Sequence, residues 1–154
     1  MKSERNNENG NSFSSITSAV VYTLEALQKE AKPTIAEKIK RKTKYQKAIE
    51  NLQDGGWEEA EKLIEDEMEK TADSLNGSIN YIKLTHPHSN NQQIIEDSMK
   101  TPLGVKFTYF VELSALISRH NPQTKNEPHK RTNEEVLRNL QKLSERVWNK
   151  TQNK

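Results

Sequence analysis

The chain has 154 residues, with 24 Lys and Arg against 22 Asp and Glu, so it is almost neutral while 30% of it is charged. It contains no Cys, which excludes a disulfide framework, a Cys-ligated zinc site and a Cys nucleophile. No uncharged apolar run approaches the roughly 18–20 residues of a spanning helix, and no basic-then-apolar leader opens the chain.

The expectation is one soluble cytoplasmic domain with no membrane partner, leaderless secretion staying open. Leu, Ile, Val and Phe together make 31 of the 154 residues, close to the roughly 20% at which highly charged chains stay unfolded. The small net charge removes self-repulsion as an obstacle, so the shortage is of apolar groups. Amphipathic helices use such groups efficiently, with one stripe inward and the rest solvated, and Lys, Glu, Gln and Ala are good helix formers. A thin core also gains from a partner or a second copy, which makes a homo-oligomer an expectation.

Residues 1–12 have no apolar periodicity and are expected as a flexible tail, as are residues 151–154, with a single helical domain over 13–150. Ile16, Val20, Leu24 and Leu27 recur at helical spacing after Phe13, with Ser12 or Ser14 as cap. Ala19 to Tyr22 is β-branched enough for a strand, but the Leu-Glu-Ala-Leu continuation favours helix. Pro33 fits a first turn, and Ile35, Ile39, Tyr45, Ala48, Ile49 and Leu52 predict one continuous helix over 34–53. Asp54-Gly55-Gly56 stops it, and Trp57 opens a helix that Asn76-Gly77 is expected to end. Together these make an antiparallel αα-hairpin over 34–76.

Ile79, Tyr81 and Ile82 suggest a separate short helix, Thr85 to Ser89 a break around Pro87, and residues 92–100 another short helix. Thr101-Pro102 starts the most apolar segment, LGVKFTYFVELSALISRH. Val105, Phe107, Tyr109, Val111 and Leu113 alternate as in a strand, whereas the length of the segment favours helix. Residues 121–131 read as a loop. Thr132 and Glu135 form a capping box ahead of a regular amphipathic helix through Trp148. The fold class is all-α, a compact bundle of about five or six helices.

Lys38, Lys40, Arg41, Lys42, Lys44 and Lys47 form a cationic stripe able to neutralise phosphates, with Tyr45 able to stack on a base. The helix after the turn carries Glu58, Glu59, Glu61, Glu65, Asp66, Glu67 and Glu69. Folding about Gly55 and Gly56 sets Lys47 near Ile64 and Lys44 near Glu67, so the expectation is that the two signs meet along a solvated hairpin.

The pieces Pro33 to Ile39, Thr43 to Leu52 and Gly56-Trp57 resemble a winged helix-turn-helix over about 25 residues. That resemblance implies DNA binding with Lys44, Gln46 and Lys47 facing the groove. Two departures stand beside it: no breaker lies between Ile39 and Thr43, and a helical Glu/Lys segment replaces the β-wing. Tyr45 to Ala48 with Trp57 to Ala60 also looks faintly like one tetratricopeptide unit, which supports a helical hairpin and nothing more.

His86, His88, His120 and His129 lie in or beside predicted loops, without metal-ligand spacing. No nucleophile elbow, phosphate loop or dinucleotide fingerprint is present. No catalytic residue, metal or cofactor is therefore expected. The candidate protein interface is Leu103, Phe107, Tyr109, Phe110 and Leu113, since aromatics are enriched at binding hot spots. The expected function is a small non-enzymatic module acting on a protein partner, as adaptor, regulator or effector. The alternative is a nucleic-acid-binding regulator using Lys40, Arg41, Lys44, Gln46 and Lys47.

Overall fold

The computed structural model describes residues 13, 15–31, 34–40, 42–119 and 131–148, and the descriptions below concern these. The expected tails, most of the expected loop, Pro33, Arg41, His120 and His129 lie outside them. The described residues form seven helices: α1 (Ile16–Glu30), α2 (Ile35–Lys40), α3 (Lys44–Gln53), α4 (Glu58–Thr85), α5 (Asn91–Met99), α6 (Pro102–Ser118) and α7 (Asn133–Trp148). They contain no strand, so both segments with strand-like alternation are helical.

α6 is the centre of the bundle. It buries Gly104, Val105, Tyr109, Phe110, Leu113, Leu116 and Ile117, and it packs against α4, α5, α7 and α1. Thr101 caps it by accepting from the Gly104 N–H at 3.1 Å, and Pro102 occupies the first turn where its missing N–H costs nothing. The Tyr109 ring meets Phe110 at 5.7 Å and Trp148 of α7 at 4.9 Å, both edge-on. Its hydroxyl lies 2.5 Å from Thr23 Oγ1 of α1. Thr23 gives its proton to the Ala19 carbonyl, so Tyr109 is the donor to Thr23, and both buried hydroxyls are satisfied. Burial pushes the Tyr109 phenol far above its usual pKa.

The expected αα-hairpin is present. Gly56 N–H donates to Asn51 O and Gly55 N–H to Leu52 O, a Schellman closure of α3 with Gly55 at φ +95°. α7 begins at the expected capping box, Thr132 N–H reaching Glu135 and Glu135 N–H reaching the Thr132 hydroxyl. α1 is capped by Ser15 with Ser18, and the expected caps Ser12 and Ser14 lie outside the described residues.

Two expected boundaries are wrong. The helix over 34–53 is two helices, because Thr43 takes an extended conformation and its hydroxyl accepts from Gln46 N–H at 3.0 Å. A side-chain cap starts α3, with no Gly needed. The helix opened by Trp57 does not stop at Asn76-Gly77 but runs to Thr85. Gly77 tolerates a left-handed conformation without requiring it, and here it stays helical while α5 and α6 pack against α4. The stop comes at His86, which precedes Pro87 and is thereby steered out of the α region.

The two helical glycines should behave oppositely on substitution by Ala. A Cβ on Gly104 would stand 2.4 Å from the Ser98 carbonyl oxygen and 2.5 Å from Met99 backbone, where α5 passes α6 and nothing flexible can yield. Around Gly77 there is nothing within 4 Å. Urea denaturation is expected to show Gly77→Ala stabilised by about 0.5–1 kcal/mol and Gly104→Ala destabilised by about 1–3 kcal/mol.

Candidate functional site

The cationic segment is held by Glu37. Its carboxylate accepts the Thr34 N–H and the Lys44 N–H, both at 2.9 Å, and its own N–H donates to the Thr34 hydroxyl. One side chain therefore caps α2 and supplies a partner at the first turn of α3. These two backbone donors, Thr34 first, hold the Glu37 carboxyl below the usual carboxylate range. Lys42 is half-buried and donates to Glu50 at 2.8 Å, and this side-chain hydrogen bond lowers the Glu50 carboxyl.

The hairpin folds back in the expected register, since the Tyr45 hydroxyl reaches Glu67 at 3.4 Å. Tyr45 is buried, so it does not offer a stacking face for a base. Burial, and then the Glu67 charge, push its phenol up to about 12. The expected meeting of opposite charges does not occur. Among the described residues no ion pair joins Lys38–Lys47 to the acids of residues 58–69. Lys38, Lys40, Lys44 and Lys47 are exposed, Gln46 is half-buried, and Lys44 rests over the Tyr45 ring at 5.3 Å. Glu67 pairs instead with Lys70 of its own helix. Beside that one hydrogen bond, the two helices share the apolar core, to which Tyr45, Ala48, Ile49 and Leu52 contribute on one side and Ala60, Leu63 and Ile64 on the other.

The helix-turn-helix resemblance gains its turn at Lys42–Thr43 and loses its packing. α2 buries none of its residues, and Ile35 and Ile39, expected in the core, are 78% and 76% exposed. α4 stands where a wing would be.

The proposed interface on α6 is divided by the packing. Tyr109, Phe110 and Leu113 are fully buried and belong to the core. Leu103 and Phe107 are half-buried and, with the exposed Val111, follow one another at i, i+4 and i+8 along the helix.

Sequence reasoning missed a larger apolar exposure. Past Leu75, α4 continues for ten residues without burying any of them, and it carries Tyr81 at 67% and Leu84 at 81% exposure. Ile79 and Ile82 are half-buried there, and α5, which packs against this arm, exposes Ile95. One signal was legible: Ser74 to Ile82 holds no charge in a chain that is 30% charged. The arm and α5 border an open cleft of about 670 Å³ lined by Ile82, His86, Ser89, Asn90, Ile94 and Asp97, among others.

No family model, curated protein or solved structure matches this chain.

Among the described residues no three His, Asp or Glu side chains assemble as a metal-ligand set. His86 faces the cleft with its Nδ1 against the Thr85 hydroxyl at 2.9 Å, while His88 does not line it. No helix among these residues is long and apolar enough to cross a membrane.

The Glu37 clamp has a pH signature. A depressed folded-state pKa means that the clamp is fully formed above the ordinary glutamate value and is released as pH falls through the lower folded value. Carboxyl NMR titration should place the Glu37 midpoint below that of a peptide glutamate. Hydrogen exchange at Thr34 and Lys44 should lose its protection over the same acid range. A Glu37 midpoint at the peptide value would mean that the clamp is not made in solution.

Proposed function

We propose that the protein is a non-enzymatic helical interaction module, an adaptor, regulator or effector that acts by binding another protein. The observation that carries this reading is the distal arm of α4 with α5. Large apolar side chains that a chain short of them would place inside are instead held in water at Tyr81, Leu84 and Ile95. Large apolar side chains left exposed on a helix are what a protein partner covers. Leu103 and Phe107, which follow the same line of the helix as the exposed Val111, are the remaining part of the interface expected on α6.

Affinity capture with the full chain should retain one partner at high salt, because an apolar contact is little screened. Tyr81→Asp with Leu84→Asp should weaken that capture at least tenfold while leaving the far-UV CD spectrum unchanged. Undiminished capture by this variant would place the interface elsewhere.

One observation favours the alternative of a nucleic-acid-binding regulator: Lys40, Lys44 and Lys47 are all exposed beside the turn between α2 and α3. Against it, the α2 side chains that would brace such a motif are solvated. The two readings separate by salt. An anisotropy titration against a DNA duplex should show no saturable binding at about 50 mM salt. Binding that falls by roughly 10³-fold or more by 200 mM would establish the alternative instead.

A further inference from the structure

We infer that the distal arm of α4 packs antiparallel against the same arm of a second copy of this chain, about a two-fold axis at the level of Ile79. The inference rests on the reading above that a protein covers this arm, and it names that protein.

Ser74, Gly77, Tyr81 and Leu84 are spaced by three, four and three residues, so they lie along one line of α4, and all four are exposed. This is the a/d spacing at which helices pair lengthwise. The line is small at its first two positions and large at its last two. Two such lines laid parallel would set small against small and large against large. Laid antiparallel about Ile79, they set Tyr81 of each copy over Gly77 of the other, and Leu84 over Ser74. Every large side chain then meets a small one, and the same residues serve both copies, as an isologous contact requires.

Gly77 supplies a second observation. It is helical without a positive φ, and a Cβ there would meet nothing within 4 Å. Within one copy nothing calls for a glycine, which weakens the helix at this position. The close approach of another helix does call for one.

Charge argues for the same occupant. A two-fold contact brings a surface against itself, so a charged face repels its own copy. In a chain that is 30% charged, Lys83 is the only Lys, Arg, Asp or Glu in residues 74–95, and it is half-buried and off this line. Ser78, Asn80 and Thr85 beside the line each both donate and accept hydrogen bonds, so each can pair with its own kind. The overlap of residues 74–84 is only about 16 Å long, so the contact falls below the ~1,200 Å² total of standard specific interfaces. The dimer is therefore weak. It covers the arm when the chain is concentrated and leaves it open to a tighter partner when the chain is dilute.

Sedimentation equilibrium of the full chain at up to about 1 mM tests this. A reversible monomer–dimer equilibrium is expected, with a dissociation constant that changes less than about threefold between roughly 0.05 and 0.5 M salt, since the contact is uncharged. Gly77→Gln meets open space within one copy but stands under Tyr81 of the other, and should weaken the dimer at least tenfold with an unchanged far-UV CD spectrum. Tyr81→Asp with Leu84→Asp should do the same, while Ile95→Asp, exposed on α5 and off the line, should leave the dimer intact. The inference is overturned by a chain that stays monomeric over this range, by growth beyond the dimer, or by a dimer that Gly77→Gln leaves unchanged. The partner reading fails separately. A monomer whose capture of a partner is still weakened by Tyr81→Asp with Leu84→Asp overturns the dimer and keeps the partner surface. A dimer broken by Gly77→Gln, beside undiminished capture by the double Asp variant, keeps the dimer and overturns the partner surface.

Discussion

Tyr109 joins the halves of this bundle by two different physical means. Its ring lies edge-on to Phe110 and Trp148, which ties α6 to the C-terminal helix α7. Its hydroxyl donates to Thr23, which ties α6 to α1 at a site where an unmade hydrogen bond would be costly. The aromatic contacts continue outward from Trp148 to Tyr22 at 6.0 Å and from Tyr22 to Phe13 at 5.3 Å, so one chain of rings runs from the core to the start of α1. In a protein with few apolar residues, this concentration at one helix lets the remaining helices stay polar on their outer faces.

That economy explains the character of the hairpin. α3 and the first half of α4 are joined by a narrow apolar seam, and nearly everything else they present is polar or charged. Where the apolar seam decides the packing, the charges take whatever positions the helical repeat leaves them. Lys42 finds Glu50 within its own segment and Lys70 finds Glu67, both local solutions available without any fold-back. Exposed pairs across the seam would each contribute only about 0–1 kcal/mol, too little to dictate how the helices pack. Segregated charge is therefore a property of the surface and becomes available for recognition.

Local chemistry was readable where it acts through neighbours in sequence. The Schellman turn at Gly55 and Gly56, the cap at Thr101-Pro102 and the box at Thr132 and Glu135 all involve groups within a few residues of one another. The same local logic failed at Thr43 and Gly77. Thr43 has no breaker beside it, and its cap is reinforced by Gln28 of α1 and by Glu37, partners outside the motif. Gly77 is a residue that permits a stop, and whether it makes one depends on what packs against the helix beyond it. Ile35 and Ile39 fell on the expected apolar face, yet the turn at Lys42–Thr43 swings that face away from the core.

The sequence by itself determined the all-helical class, the fold-back at the glycines and the identity of the most apolar helix, because periodicity, turn chemistry and composition are properties of contiguous residues. Only the tertiary structure decided which side of each apolar helix is covered. Tyr109, Phe110 and Leu113 became core, while Tyr81 and Leu84 were left in water, although all five are large apolar side chains on helices. Burial depends on how far each helix overlaps its neighbours, and the last ten residues of α4 are covered too thinly for any of them to be buried.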